Sequence, residues 1–322
     1  LHSTSRRQRQ MCIRDRWEFS RIISAYNAFK DADAIGLGAL ANSSFWQHFP
    51  LQEKYPQKWV THQELMDRGY LNRDGTINFQ GRNFILFYVG DYDSSSWIAQ
   101  TTPFLWDEPS RGEVPLMWSV SPVLAERVPM VMHNYRVTAT PNDYFAAADN
   151  GAGYLMPGML QEPRSVSGLK SGLSAWAKHC SKYYQKWGLT ITGFVIDGEA
   201  PGLDSDGLDC YASFSPNGIV PQKMPLTLLH NDMPVIRADY DIVDHDYRRA
   251  TDVIVERVEK RPVPFHWFRA ILKSPSWYKG ICDELKQRHT NIELLDAPTF
   301  FELYRIYLKQ HPDAAAGKIT MN

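Results

Sequence analysis

From about Arg82 onward, short, continuously apolar runs alternate with amphipathic stretches. Asn83 to Gly90 has no position reserved for water, as expected of a strand buried on both faces of a parallel sheet. Val114–Val120, Asp143–Ala148, Leu189–Ile196, Pro264–Leu272 and Asn291–Leu295 repeat that pattern, and Pro225–Leu229 and Val235–Ala238 are weaker strands. Ser171 to Trp187 gives the clearest helix. Leu173, Trp176, Ala177, Cys180, Tyr184 and Trp187 share one face, and Gly188 suits the C-terminal cap. Other helices are predicted from Trp97, over Tyr247–Lys260, and over Ser276–His289 behind a Ser274-Pro275 cap. Ser121-Pro122 opens a short helix that Pro129 ends or kinks. Thr299-Phe-Phe-Glu302 has capping-box spacing and opens a last helix to about Gln310.

Roughly six to eight strands thus alternate with four to six helices over about 240 residues. That order predicts an α/β fold with a parallel sheet, and its size suits a (β/α) barrel, irregular in outline. An open, doubly wound sheet is the alternative. No G-x-G-x-x-G or P-loop follows a strand, which counts against a nucleotide-binding fold. Residues 81–322 form the expected catalytic unit. Residues 17–80 read as the remnant of an upstream domain and its linker, with a helix over Glu18–Lys30 and a buried strand or turn over Ala34–Ala41. Leu1 to Arg16 is basic without an apolar core, so it is no secretory signal. Its Met11-Cys-Ile-Arg-Asp-Arg16 resembles a translated sequencing-adapter remnant and is set aside as disordered.

Composition narrows the partners. The chain of 322 residues carries 35 basic and 36 acidic side chains, a formal net charge of −1. Such balance gives no general attraction to nucleic acid or anionic lipid. The longest apolar run, Phe84 to Val89, is far short of the roughly 18 residues that span a bilayer. Ten Trp, sixteen Tyr and fifteen Phe exceed what a core needs, which mildly favours a saccharide cleft where rings stack on sugar C–H faces. Of Cys12, Cys180, Cys210 and Cys282, none has metal-ligand spacing. Cys180 and Cys282 fall on apolar helix faces, and a Cys180–Cys210 bridge is open to an oxidising compartment.

In a barrel, chemistry gathers at the carboxyl ends of strands. Asp91 and Asp93 follow the first strand, Asp143 lies beside the third with Asn150 after it, and Asp197 and Glu199 follow the fourth. Two carboxylates across a cleft serve glycoside hydrolysis, retaining at roughly 5 Å apart and inverting at roughly 6.5–9.5 Å. Asp93 also has the place of a helix N-cap. Either the Asp91/Asp93 or the Asp197/Glu199 pair has the oxygen ligands for a divalent cation, although no cofactor is required. Trp97 and Trp118 are candidate sugar platforms. His266 and Arg269 lie in an aromatic strand that puts Phe265, Trp267 and Arg269 on one face. No H-x-x-x-H pair supports a metal-dependent deacetylase, and no serine sits in a nucleophile elbow. In Asp149-Asn-Gly-Ala-Gly-Tyr-Leu-Met-Pro157, Gly151 and Gly153 permit close backbone approach, offering Tyr154 and backbone N–H groups to a ligand.

That stretch resembles the signature of the GxGYxYP family of glycoside-hydrolase-like proteins, with Met156 where the family has Tyr. Val89-Gly-Asp-Tyr-Asp-Ser94, Asp107–Gly112 with Pro115–Trp118, Thr140–Tyr144 and Thr192–Gly198 resemble further family blocks in the same order. The likeness covers roughly Asn42 to Leu308. It implies a barrel of the glycoside hydrolase/deacetylase type, a companion domain upstream, and export to the periplasm or beyond in polysaccharide-degrading bacteria. The expected function is hydrolysis of glycosidic bonds in an oligo- or polysaccharide. Asp91 or Asp93 and Asp197 or Glu199 are the expected acid and base or nucleophile. A non-catalytic glycan-binding module and a metal-dependent deacetylase or lyase are the alternatives.

Overall fold

The computed structural model describes residues 17–30 and 42–316 apart from positions 224, 239 and 262, and leaves aside the side chains of Ser43 and Asp91. The expectations for residues 1–16, Cys12 among them, and for Ala34–Ala41 lie outside these residues. The apolar runs form β1 (Asn83–Tyr92), β2 (Leu116–Val120), β3 (Asp143–Ala147), β4 (Ile191–Val195) and β5 (Gly218–Pro221). After them come β6 (Leu229–His230), β7 (Met233–Pro234), β8 (Tyr240–Asp241), β9 (Phe265–Ile271) and β10 (Ile292–Leu294). The main sheet runs β5-β4-β3-β2-β1-β9-β8, with β10 beside the start of β1. All of its pairings are parallel, while β6 and β7 make a separate antiparallel pair.

Alternation along β1 divides the core. Ile85, Phe87 and Val89 join a cluster with the apolar sides of α1 (Pro129–Val137), α2 (Leu173–Trp187), α3 (Ser205–Phe214), α4 (Tyr247–Lys260) and α5 (Pro275–Gln287). Phe84, Leu86 and Tyr88 face the opposite way, into a cluster with α6 (Ala297–Gln310) and residues 65–77. Five helices on one face distinguish the sheet from a doubly wound one, in which both faces are covered alike. The result is a curled parallel sheet, a half-barrel whose concave side carries Tyr88. At the strand starts α6 seals that side, with Phe300 and Tyr304 at 5.5 and 5.3 Å from Phe265.

Several local expectations change. The short helix opened by Ser121-Pro122 runs over Pro122–Glu126 and stops before Pro129, which itself stands at the first turn of α1, where its missing N–H costs nothing. Asp296, not Thr299, caps α6 by accepting from the Thr299 N–H. Glu302 is thereby released to bind Trp59 Nε1 at 3.0 Å and Arg305 at 2.7 Å. The helix α3 escapes sequence reading because Gly207 and a polar first turn break its apolar period, yet Asp204 caps it through the Gly207 N–H. Residues 55–65 pack closely on the sheet domain: Tyr55 stacks on Trp187 at 4.4 Å, and Leu65 is fully buried. Cys180, Cys210 and Cys282 are free thiols, so the bridge is not formed. Burial pushes Cys210 and Cys282 up to about 12.

The loop after β3 is a brace. Asn150 adopts φ 72° and donates from Nδ2 to the Leu155 carbonyl, while its Oδ1 accepts from the Ile196 N–H. Its backbone N–H reaches the Phe194 carbonyl at 3.0 Å, and its carbonyl accepts from the Tyr211 hydroxyl at 2.6 Å. At Gly151 (φ 139°) a Cβ would stand 2.9 Å from the Trp176 ring, and at Gly153 (φ 103°) 2.3 Å from Phe29. Only glycine fits either position. Tyr154 pairs through its backbone with Lys30, and the Met156 N–H donates to Ser24 Oγ at 2.9 Å. The loop therefore fastens β3 to β4, to α3 and to residues 24–30. Replacing Asn150 by Ala strands a buried carbonyl and a buried N–H, each costing on the order of 1–3 kcal/mol. Asn150→Ala is expected to lose about 3 kcal/mol in urea unfolding; a loss below about 1 kcal/mol would contradict the brace.

Candidate functional site

At the carboxyl ends of the strands the chain turns polar without becoming exposed. Asp93 follows β1, Ser121 β2, Asp149 β3, Asp197 β4 and Lys273 β9, and none is more than 4% exposed. Charged side chains are rarely this buried, so their gathering at one end of the sheet marks the candidate site. Register accounts for part of the row. Tyr92 pairs with Val120 and Val120 with Ala147, all three on the helix-covered side. Alternation then turns Asp93, Ser121 and Ala148, one position on, to the concave side.

Beneath them lies an aromatic floor. The Tyr88, Phe194 and Trp267 rings stand 5.5–5.9 Å apart. A Cβ at Gly193 would fall 2.8 Å from the Tyr88 ring and 3.2 Å from Ser119 Oγ, so this glycine lets the ring cross the floor. Arg269 lies 4.9 Å over Phe194 and holds Asp241 at 2.8 Å. The rim is strained: Asp149, Asn150 and Leu272 have φ of 44°, 72° and 54°. Left-handed backbone is unfavourable for leucine, and such strain concentrates at functional sites.

Asp197 has the most informative surroundings. One carboxylate oxygen, Oδ1, accepts from the Gln222 and Lys223 N–H groups at 3.1 and 3.0 Å. The Gln222 side chain accepts in return from the Asp197 and Gly198 N–H groups. Burial raises the Asp197 pKa, and Lys223 with the backbone donors opposes that rise without cancelling it. A carboxyl group that keeps its proton more readily than usual has the property a general acid needs.

The remaining expected residues scatter. Glu199 is exposed and near Arg21, whose pKa is raised chiefly by Glu18 and more weakly by Glu199. The backbone of Asp91 belongs to β1, and its side chain lies outside the described atoms. Trp97 packs against the helix-side core. Trp118 is buried there too and donates to Asp143 at 2.7 Å, so it is a core residue and no platform. Asp143 opens β3, at the far end of the sheet, and also accepts from Arg111 and Thr140. Tyr154 is buried under residues 24–30. His266 points to the helix side, where burial first, and Arg261 second, push it down to about 4. Asn150, Gly151 and Gly153 belong to the brace.

Three groups in the row were not among the expected site residues: Asp149, Ser121 and Lys273. Sequence offered one signal for the serine, a polar residue closing an otherwise apolar strand. Lys273 donates to the Val243 carbonyl at 3.0 Å and contacts His245 Nδ1 at 3.2 Å. Burial lowers its pKa, against the pull of Asp244. Among the described residues no three His, Cys, Asp or Glu side chains gather as a metal centre, and none of the helices is long and apolar enough to cross a membrane. A cleft of about 490 Å3 opens elsewhere, at the strand starts between residues 56–68 and α6.

Residues 81–305 match the family described as "GxGYxYP putative glycoside hydrolase C-terminal domain". Among solved structures, a putative hydrolase from Bacteroides thetaiotaomicron superposes with a TM-score of 0.57 at 17% identity. The match covers 82% of this chain and 49% of that one, so this chain spans about half its length, and the likeness bears on the fold. A T48 deacetylase with substrate is more distant (TM-score 0.39, 12% identity, 70% of this chain and 94% of that one). So is a CE4 family pseudoenzyme from Bacillus anthracis (TM-score 0.40, 10% identity, 69% and 66%), and neither carries weight at these scores. No curated protein matches. With more than half of its length in the family match, the chain belongs to the GxGYxYP family as its C-terminal domain.

Proposed function

We propose that this chain is a carbohydrate-active hydrolase that cleaves glycosidic bonds with carboxylates at the strand ends. The observation that carries this reading is Asp197, a buried aspartate at a strand's carboxyl end, held by the Gln222 and Lys223 N–H groups, whose proton burial retains more strongly than usual. In this reading Asp197 protonates the leaving oxygen and Asp93 is the base. They follow strands three spacings apart, about 14 Å along the sheet, and this reading requires their carboxyl groups to reach inward to the roughly 6.5–9.5 Å of an inverting pair. Asp149 follows β3, the neighbour of the strand that Asp197 follows, so retention of configuration in the first product would point to Asp149 instead. A module that only bound glycans would not need to bury an ionisable acid at this cost.

Closure into a barrel fits the same reading. The Ile236 and Ala238 N–H groups donate to Ile219 and Pro221 of β5, while the Ile242 N–H donates to Arg269 of β9. One stretch of chain thus meets both edges of the sheet. An oligo- or polysaccharide partner, an upstream companion domain and a site of action outside the cytoplasm complete the proposal. Residues 81–322 would be the catalytic unit.

Asp93→Asn and Asp197→Asn are each expected to lower hydrolysis by about 10²–10⁴-fold on a glycan panel. Full activity in both variants would sink the assignment. Stability should move differently. Because folding raises the Asp197 pKa, the unfolded chain gives up this proton first as pH rises through about 4, and the native state loses stability from there upward through the folded pKa. Asparagine cannot ionise and keeps an oxygen for the same two N–H donors. Asp197→Asn should therefore unfold at a higher temperature than wild type at pH 7, with the difference vanishing below about pH 4. A lower melting temperature at pH 7 would show that the charged carboxylate is a structural asset.

A further inference from the structure

We propose that the cleft at the strand starts is a second saccharide site, separate from the carboxylate row and specific for neutral sugars. Its volume of about 490 Å3 lies within the roughly 300–1,000 Å3 of small-ligand sites. It lies at the opposite end of the sheet, where β2 and β3 begin, so it is not an extension of the Asp93–Asp197 row.

The walls specify the ligand. Trp59 lines the cleft and meets Tyr144 at 6.3 Å, ring edge to face. The Trp59 indole is fixed by its bond to Glu302 and by Arg305, 5.9 Å over its ring from outside the cleft lining, which presets its cleft side as an aromatic surface of the kind that flat C–H faces cover. Most of the charged groups around it are matched, while among the described residues Asp67 accepts only from the Gln63 amide and Arg136 bonds only backbone carbonyls, one unpaired charge of each sign. Arg68 holds Asp296 at 2.9 Å, Lys58 is bonded to Glu64, and Asp143 accepts from Arg111 and Trp118. With Arg111 counted beside Asp143, the positive and negative groups of the rim balance, which gives little net attraction to an anion, and its polarity repels a purely apolar ligand. What remains is suited to hydroxyls. Arg136 lines the cleft with three of its hydrogen bonds on the carbonyls of Tyr55, Pro56 and Trp187, and its Nε–H makes none among the described residues. Asn142 gives its amide N–H to the Gly112 carbonyl, so its Oδ1 is left as an acceptor toward the cleft. One donor and one acceptor beside an aromatic face recognise a neutral polyol ring.

The site is tested without turnover. Wild-type protein with ¹⁵N-labelled Trp indoles is titrated with cello-, xylo- and manno-oligosaccharides, and with galacturonate oligomers as the anionic probe. The Trp59 Nε1 resonance should shift with at least one neutral series and remain still with galacturonate. Trp59→Ala should weaken that binding by about tenfold or more. Ala139 lines the cleft and is exposed, so Ala139→Trp should fill the site and abolish binding without removing any contact. Neither change should alter hydrolysis of a small soluble glycoside. A Trp59 signal unmoved by every neutral series overturns the proposal, as does a stronger response to galacturonate or wild-type affinity in Ala139→Trp. Failure here leaves the hydrolase reading intact, since that reading is judged by Asp93→Asn and Asp197→Asn at the other end of the sheet.

Discussion

The whole architecture depends on the double burial of β1. Its side chains enter two separate cores, so neither face is open to water. A strand so placed must satisfy every backbone donor and acceptor through neighbours. It does so with β2 and β10 along one edge and β9 along the other. Polar side chains are then excluded from its length and confined to its ends. The concentration of buried acids at the carboxyl ends and of ion pairs at the starts is the direct result.

The family's glycine-tyrosine loop takes on a different meaning in this setting. It contributes conformation, not reactive groups: left-handed backbone, two positions without Cβ, and an asparagine bonded on both sides of its amide. A segment so heavily constrained has a recognisable sequence because few residues satisfy it. Its proximity to Asp149 and Asp197 means that the brace also fixes the strand ends that bear those acids. Signature and chemistry are thus adjacent but distinct.

Where periodicity was strong, sequence sufficed. Tyr247–Lys260 appears as α4 with the expected bounds, and β1, β4 and β9 lie within two residues of their apolar runs. The helix α3 was missed because its opening turn is Asp-Ser-Asp-Gly, which carries no apolar stripe. Site residues were harder for another reason. Trp118 and Ser119 are neighbours in sequence but lie on opposite faces, and which of them meets the concave side depends on long-range packing. Asp143 opens its strand as the apolar pattern implies, and that place at the start separates it from the acids at the carboxyl ends. The positions of Asp93 and Asp197 at the carboxyl ends of β1 and β4 are legible because each lies just beyond a long apolar run.

The position of β10 also sets an order on folding. Arg82, just before β1, forms an ion pair with Glu293 of β10, 211 residues further on, at 2.9 Å. The first strand of the sheet therefore emerges from the ribosome long before the segment that covers the edge of its opening residues, and before α6 shields Phe84. Closing so long a loop is slow, and an incomplete parallel sheet presents both an unpaired edge and an apolar face while it waits. The nascent chain is most exposed to misassembly in that interval, and the segment from β10 through α6 ends it.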